Sequence, residues 1–176
     1  MLSRAIAGLL PIMPVSVVRQ VSKRYIAGET LDDALTKVRF LNEQGYAATL
    51  DLLGEDVTDE SDAAAITSEY VKILDGIGAT GLDTNVSLKP TNHGLMVDEA
   101  CCEENILRIV EAAARWGNFV RMDMESSAFT QATLDVYSRV LERHDNVGIV
   151  LQSYLRRSAD DVRALVLTGA GERAFV

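Results

Sequence analysis

The sequence predicts an α/β fold: a (β/α) barrel truncated to about four to five βα units, preceded by an N-terminal helical arm. Three observations predict it. Residues 85–90 (NVSLKP), 119–126 (FVRMDMES) and 148–154 (GIVLQSY) each begin as an apolar β-type run and finish on a polar residue, Lys89, Asp123 and Gln152. Stretches of roughly thirty residues with helical periodicity separate them, the length a strand–helix–strand crossover needs. Finally, the turn after the first predicted strand, 50–57 (LDLLGEDV), holds a single glycine. A dinucleotide-binding doubly wound sheet would show a glycine-rich phosphate loop there.

In chain order, residues 1–29 form the arm and 30–176 the incomplete barrel. The arm holds an uncharged stretch, 5–18, interrupted by Pro11 and Pro14. It is too short to span a membrane and predicts two helical pieces that pack on the barrel, with peripheral membrane contact as the alternative. Thr30 caps a helix to about Gln44, with Leu31, Ala34, Leu35, Val38 and Leu41 as its apolar stripe and Gly45 as its stop. Residues 46–53 are the first strand. Thr58 or Asp59 starts the next helix, whose acidic first turn suits the dipole. Its apolar positions are Ala63, Ile66, Tyr70, Ile73 and Leu74, and Gly76, Gly78 and Gly81 are expected to break it up. The second strand is 85–88. Asp98 begins a helix through Trp116, and 119–124 is the third strand. A helix over about 129–143, a fourth strand at 147–152, and a helix over 159–167 capped by Ser158 follow. Residues 174–176 open a fifth strand.

Bulk composition excludes some classes of function. A net charge of −9 argues against nucleic acid as a partner, because phosphate binding needs a basic face. The two cysteines, Cys101 and Cys102, are adjacent, fit no zinc spacing and build no disulfide framework. They read as structural or surface thiols of a reducing compartment, so a cytoplasmic location is expected, with peripheral contact of the arm with a membrane surface as the alternative. At 176 residues the chain is short for a closed eight-stranded barrel, which needs about 250.

Parallel strands in a barrel put their C-terminal ends on one face, where active sites are built. Lys89 there suits a substrate carboxylate or, desolvated, a Schiff base; an exposed loop lysine is the bland alternative. Alternation sends Arg121, Asp123 and Glu125 to one side of their strand and Met122 and Met124 to the other. Charged groups in a barrel need partners, so this face is expected to pair with Lys89, in a catalytic network or a structural ion pair. Gln152, donor and acceptor at once, suits the imide edge of a flavin, an amide-bearing ligand, or loop backbone. Asp51, near the end of the first strand, is a weaker candidate of the same kind. His93 reads as a surface or hydrogen-bonding loop residue. Arg156 and Arg157 could hold phosphate or begin a solvated helix. Trp116, Phe119 and Tyr137 read as core.

Five strings together, YIAGETLDDAL (25–35), ATLDLLGE (48–55), VSLKP (86–90), VRMDMESS (120–127) and GIVLQSYLRRS (148–158), resemble bacterial proline dehydrogenase in order and spacing. The resemblance implies the first half of a distorted (β/α) barrel that holds FAD. Such a protein oxidises L-proline to Δ1-pyrroline-5-carboxylate and passes electrons to a membrane quinone. It further implies that Lys89 pairs with the proline carboxylate, Asp123 orders the charged network, Gln152 hydrogen-bonds the flavin, and Asp51 lies near the pocket. Two departures stand out: GERAFV (171–176) replaces a VKGAY-like run, and Pro90 stands where a small hydroxyl residue is more usual. Two other readings compete. One is a non-catalytic barrel fragment that self-associates through open edges; the other is an aldolase-type barrel with Lys89 as imine former.

Overall fold

Local capping chemistry starts the helices where the sequence predicts. The computed structural model describes residues 26–54, 56–167 and 174–175; the arm expected over 1–25 lies outside them. Thr30 caps helix α1 (Leu31–Glu43) through a capping box. Its Oγ1 accepts from Asp33 N at 3.2 Å, and the Asp33 carboxylate accepts from Thr30 N at 3.3 Å. Asp59 caps α2 (Glu60–Thr80) by accepting from Ser61 N and Asp62 N. Asp98 caps α3 (Glu99–Arg115) by accepting from Cys101 N at 2.7 Å. Helices α4 (Thr130–Leu141) and α5 (Ser158–Leu167) complete the set. Ser158 is itself the first helical residue of α5, and its hydroxyl donates to the Gln152 carbonyl.

Five strands alternate with these helices: β1 (Ala48–Leu50), β2 (Thr84–Leu88), β3 (Val120–Met122), β4 (Val147–Val150) and β5 (Ala174–Phe175). All pair in parallel and in chain order, β1-β2-β3-β4-β5. A doubly wound sheet reverses direction at a switch point. Here every crossover steps the same way, and right-handed crossovers then place every helix on one face. The sheet is therefore an arc of a (β/α) barrel. Val86, Leu88, Val120, Met122, Val147 and Ile149 point outward and are fully buried beneath the helices. Burying each side chain of this size stabilises the fold by about 1.5–3 kcal/mol.

Three expectations need correction. Helix α2 runs unbroken through Gly76 and Gly78 and ends only at Gly81, whose φ is +63°. The two interior glycines are points of close approach: a Cβ on Gly78 would come within 2.0 Å of the Trp116 ring, and one on Gly76 within 2.9 Å of Leu31. Trp116, expected in the core, is 47% exposed; its indole lies over Gly78, and its Nε1 donates to Asp75 at 2.9 Å. Strand β1 is also shorter than expected. Its ladder to β2 runs from Ala48 opposite Thr84 to Leu50 opposite Val86.

Candidate active site

The inner face of the arc is polar, because the outward positions of each strand take the apolar residues. Thr49 and Asp51 line it along and just past β1, Asn85, Ser87 and Lys89 along and just past β2, and Arg121, Asp123 and Glu125 along and just past β3. Gly148, Val150 and Gln152 do the same for β4. Register sets Thr49 opposite Asn85, and Ser87, Arg121 and Gly148 in one row. Thr49 Oγ1 donates to Asn85 Oδ1 at 2.8 Å and accepts from Arg121 Nη1 at 3.4 Å. The more C-terminal rows carry the four predicted site residues.

Lys89 pairs first with Asp51, not with the β3 carboxylates: Nζ lies 2.7 Å from Oδ2, with the two side chains 24% and 30% exposed. Burial alone would lower the Lys89 pKa. The Asp51 hydrogen bond and charge, with Asp123 and Glu125 behind them, outweigh it and hold the ammonium above the ordinary lysine range. Lys89 is thus a fixed cation at the strand end. Its extended backbone leads directly into a single 3-10 turn (Pro90–His93), closed by Gly94 at φ +98°.

Glu125 is mostly structural. Its carboxylate accepts from Thr91 N at 2.9 Å and from Thr91 Oγ1 at 2.6 Å, tying the end of β3 to the turn after β2. Asp123 donates its backbone N–H to Leu88 O at 2.9 Å, extending the β2–β3 pairing; its carboxylate acts on Lys89 through charge. Gln152 donates its side-chain Nε2 to Met124 O at 3.1 Å, and its backbone carbonyl accepts from Ser158 Oγ and Leu155 N–H. The side chain is therefore held with Oε1 as its remaining acceptor. A cleft of about 450 Å³ runs along β1 and is lined in part by Asp51, Leu53, Ile26 and Leu31. Another, of about 460 Å³, lies at the opposite ends of the strands beside Asn118 and Asn146, the face that serves stability in barrels.

His93 is wholly buried rather than at the surface. Its Nδ1 lies 2.9 Å from Thr67 Oγ1, and burial lowers its pKa to about 3, so the ring is neutral. Arg157 is engaged by Asp161, with contacts down to 2.8 Å, and by Gln131. It stands immediately before the first residue of α5 and is paired within that helix start. Cys102 is buried and its thiol pKa is pushed up by burial; Cys101 is half-buried. Among the described residues, no group of acidic, histidine and cysteine side chains could hold a metal ion, and no helix is long and apolar enough to cross a membrane.

Tyr70 is the residue that periodicity hid. It stands in the apolar stripe of α2, but its hydroxyl bonds Asp51 Oδ1 at 3.0 Å. A usable signal was present: a tyrosine on a fully buried helix face needs a partner for its O–H.

The model of the family described as proline dehydrogenase matches residues 34–175. Proline dehydrogenase 1 of Bacillus subtilis subsp. natto is 32% identical over 144 residues, covering 82% of this chain and 48% of that protein. Proline dehydrogenase of Deinococcus radiodurans is 31% identical over 150 residues, with the same coverage of 82% and 48%. In structure, proline utilization A (PutA) from Bdellovibrio bacteriovorus, inactivated by N-propargylglycine, superposes with a TM-score of 0.75 at 23% identity. That match covers 81% of this chain and 18% of that one. The chain spans about half the length of the curated relatives it matches.

Proposed function

The chain belongs to the proline dehydrogenase family, and from that premise we propose that it carries the carboxylate-binding side of a site that oxidises L-proline. The product is Δ1-pyrroline-5-carboxylate, the cofactor is FAD, and a membrane quinone takes the electrons. The observation that carries the reading is the Lys89–Asp51 pair at 2.7 Å on the strand ends, with Asp123 on one neighbouring strand and Gln152 on the next.

Each residue has a distinct task in this reading. Lys89, kept charged by its acidic neighbours, binds the carboxylate of proline. Asp51 orients that ammonium, and Asp123 supplies negative charge for the cationic ring nitrogen of the bound zwitterion. The donor set also fits a flavin: Gln152 is anchored through its amide nitrogen and offers Oε1 to a ring N–H. Bound FAD would supply the two-electron acceptor as the C–N bond of proline becomes C=N. In this reading the protein is cytoplasmic and meets its lipid-soluble quinone by peripheral contact with the inner membrane.

The test is the visible spectrum of the purified chain with FAD, before and after anaerobic proline. A retained flavin band that bleaches with proline supports the reading; retained flavin that proline leaves unchanged refutes it. Lys89→Ala should weaken proline affinity at least tenfold, the loss of about 1.4 kcal/mol or more expected for a charge-assisted contact, while flavin content stays the same. Among the described residues β1 pairs only with β2, which favours self-association through that edge as a second reading. A concentration-independent monomer in sedimentation would exclude it.

A further inference from the structure

We propose that Tyr70 is a positioning residue of this site: its hydroxyl stands inside the β1–β2 ladder and fixes Asp51, and through Asp51 the Lys89 ammonium. The functional meaning rests on the reading of Lys89 given above. The geometry is independent of it.

The ladder shows the insertion. Ala48 N–H donates to Asp83 O at 3.2 Å, and Ala48 and Leu50 stand opposite Thr84 and Val86. Moving four residues along each strand, the regular parallel pattern would join Leu52 N–H to Ser87 O. Instead, Leu52 N–H donates to Tyr70 Oη at 3.2 Å, and Oη lies 2.9 Å from Ser87 O. A phenol from the helix layer therefore replaces one rung of the sheet, at the row where the strands carry Asp51 and lead into Lys89. Oη also lies 3.0 Å from Asp51 Oδ1. Its single proton is shared between carbonyl and carboxylate, and the charged oxygen is the stronger acceptor.

The insertion is firmly supported. Tyr70 is fully buried, with the His93 ring edge-on at 5.0 Å and an interplanar angle of 70°. His93 is itself held by Thr67, one helical turn before Tyr70 on α2. Burial and the Asp51 charge push the phenol pKa upward, so the hydroxyl keeps its proton. The Asp51 carboxylate thus meets two donors from different elements, Tyr70 at Oδ1 and Lys89 at Oδ2. Any rotation of the Asp51 side chain that releases Lys89 must also move Oδ1 away from Tyr70. The other charges acting on Lys89 are Asp123 and Glu125, both from the β3 side.

The experiment follows the Lys89 13Cε titration by NMR in the wild-type chain, Tyr70→Phe, Asp51→Asn and the double variant, with thermal melts as the folding control. Asp51→Asn should lower the Lys89 pKa. Tyr70→Phe should lower it in the same direction by less, and the two effects should not add, because the charge Tyr70 fixes beside Lys89 is that of Asp51. A Lys89 titration unchanged in folded Tyr70→Phe, or effects that simply add, would overturn the proposal. If Tyr70→Phe does not fold, Asp51→Asn decides alone: it must shift the Tyr70 13Cζ resonance, and an unmoved resonance overturns the proposal. Proline is then added to the wild type. If it leaves the Lys89 signal unmoved, the substrate reading fails while the mutant cycle still judges the positioning role.

Discussion

His93 gives the sharpest quantitative test of the interior beneath the site. It is fully buried against Thr67 and Tyr70, and burial holds its pKa near 3 against an ordinary 6.5. A histidine with a depressed folded-state pKa adds its stability above the unfolded value. That contribution is lost as pH falls from 6.5 toward 3, because only the unfolded chain takes up the proton. Each pKa unit is worth about 1.4 kcal/mol. At about pH 4.5, roughly two units separate the solution from the unfolded pKa, so some 3 kcal/mol of stability is gone. The perturbation is His93→Asn, whose amide stands where Nδ1 does and does not titrate. Urea unfolding at about pH 7.5 and 4.5 is the assay. Wild type should lose about 3 kcal/mol more than the variant over that interval; the carboxylates titrate in both and cancel. Equal losses would show the ring to be hydrated or charged in the fold.

Two further substitutions test the packing. Gly78→Ala gains about 1 kcal/mol in helix propensity but sets a methyl within 2.0 Å of the Trp116 ring. A net destabilisation of about 1–2 kcal/mol is expected, with a red shift in the emission of the displaced indole; unchanged stability and emission would contradict the contact. Thr30→Ala removes the capping box of α1 and should cost about 1 kcal/mol in urea unfolding. A loss below a few tenths would mean the cap is replaced by water.

The helix starts at Thr30 and Asp98, and the start at Asp59 to within its neighbour Thr58, are legible because a cap is a bond within three residues, complete in the local sequence. The βα order and the polar strand ends at Lys89, Asp123 and Gln152 were legible for a related reason. An apolar run that ends on a charged or amide side chain marks where a strand leaves the core. Alternation likewise sorted Arg121, Asp123 and Glu125 from the two buried methionines.

Tertiary structure alone decided the partners. That Lys89 takes Asp51 depends on the β1–β2 register, thirty-eight residues apart in the chain. Sequence shows the flexibility of Gly78, which predicts a helix break, and not the indole of Trp116 lying over it. The spacing of Tyr70 is that of a core residue and predicts only an apolar position. Only the assembled sheet shows a missing rung filled by its hydroxyl. Backbone hydrogen bonds within a turn are fixed by neighbours in the chain, so sequence specifies them directly. Which side chain fills a gap between strands is fixed by the packing of distant segments, and it exists only once the fold has formed.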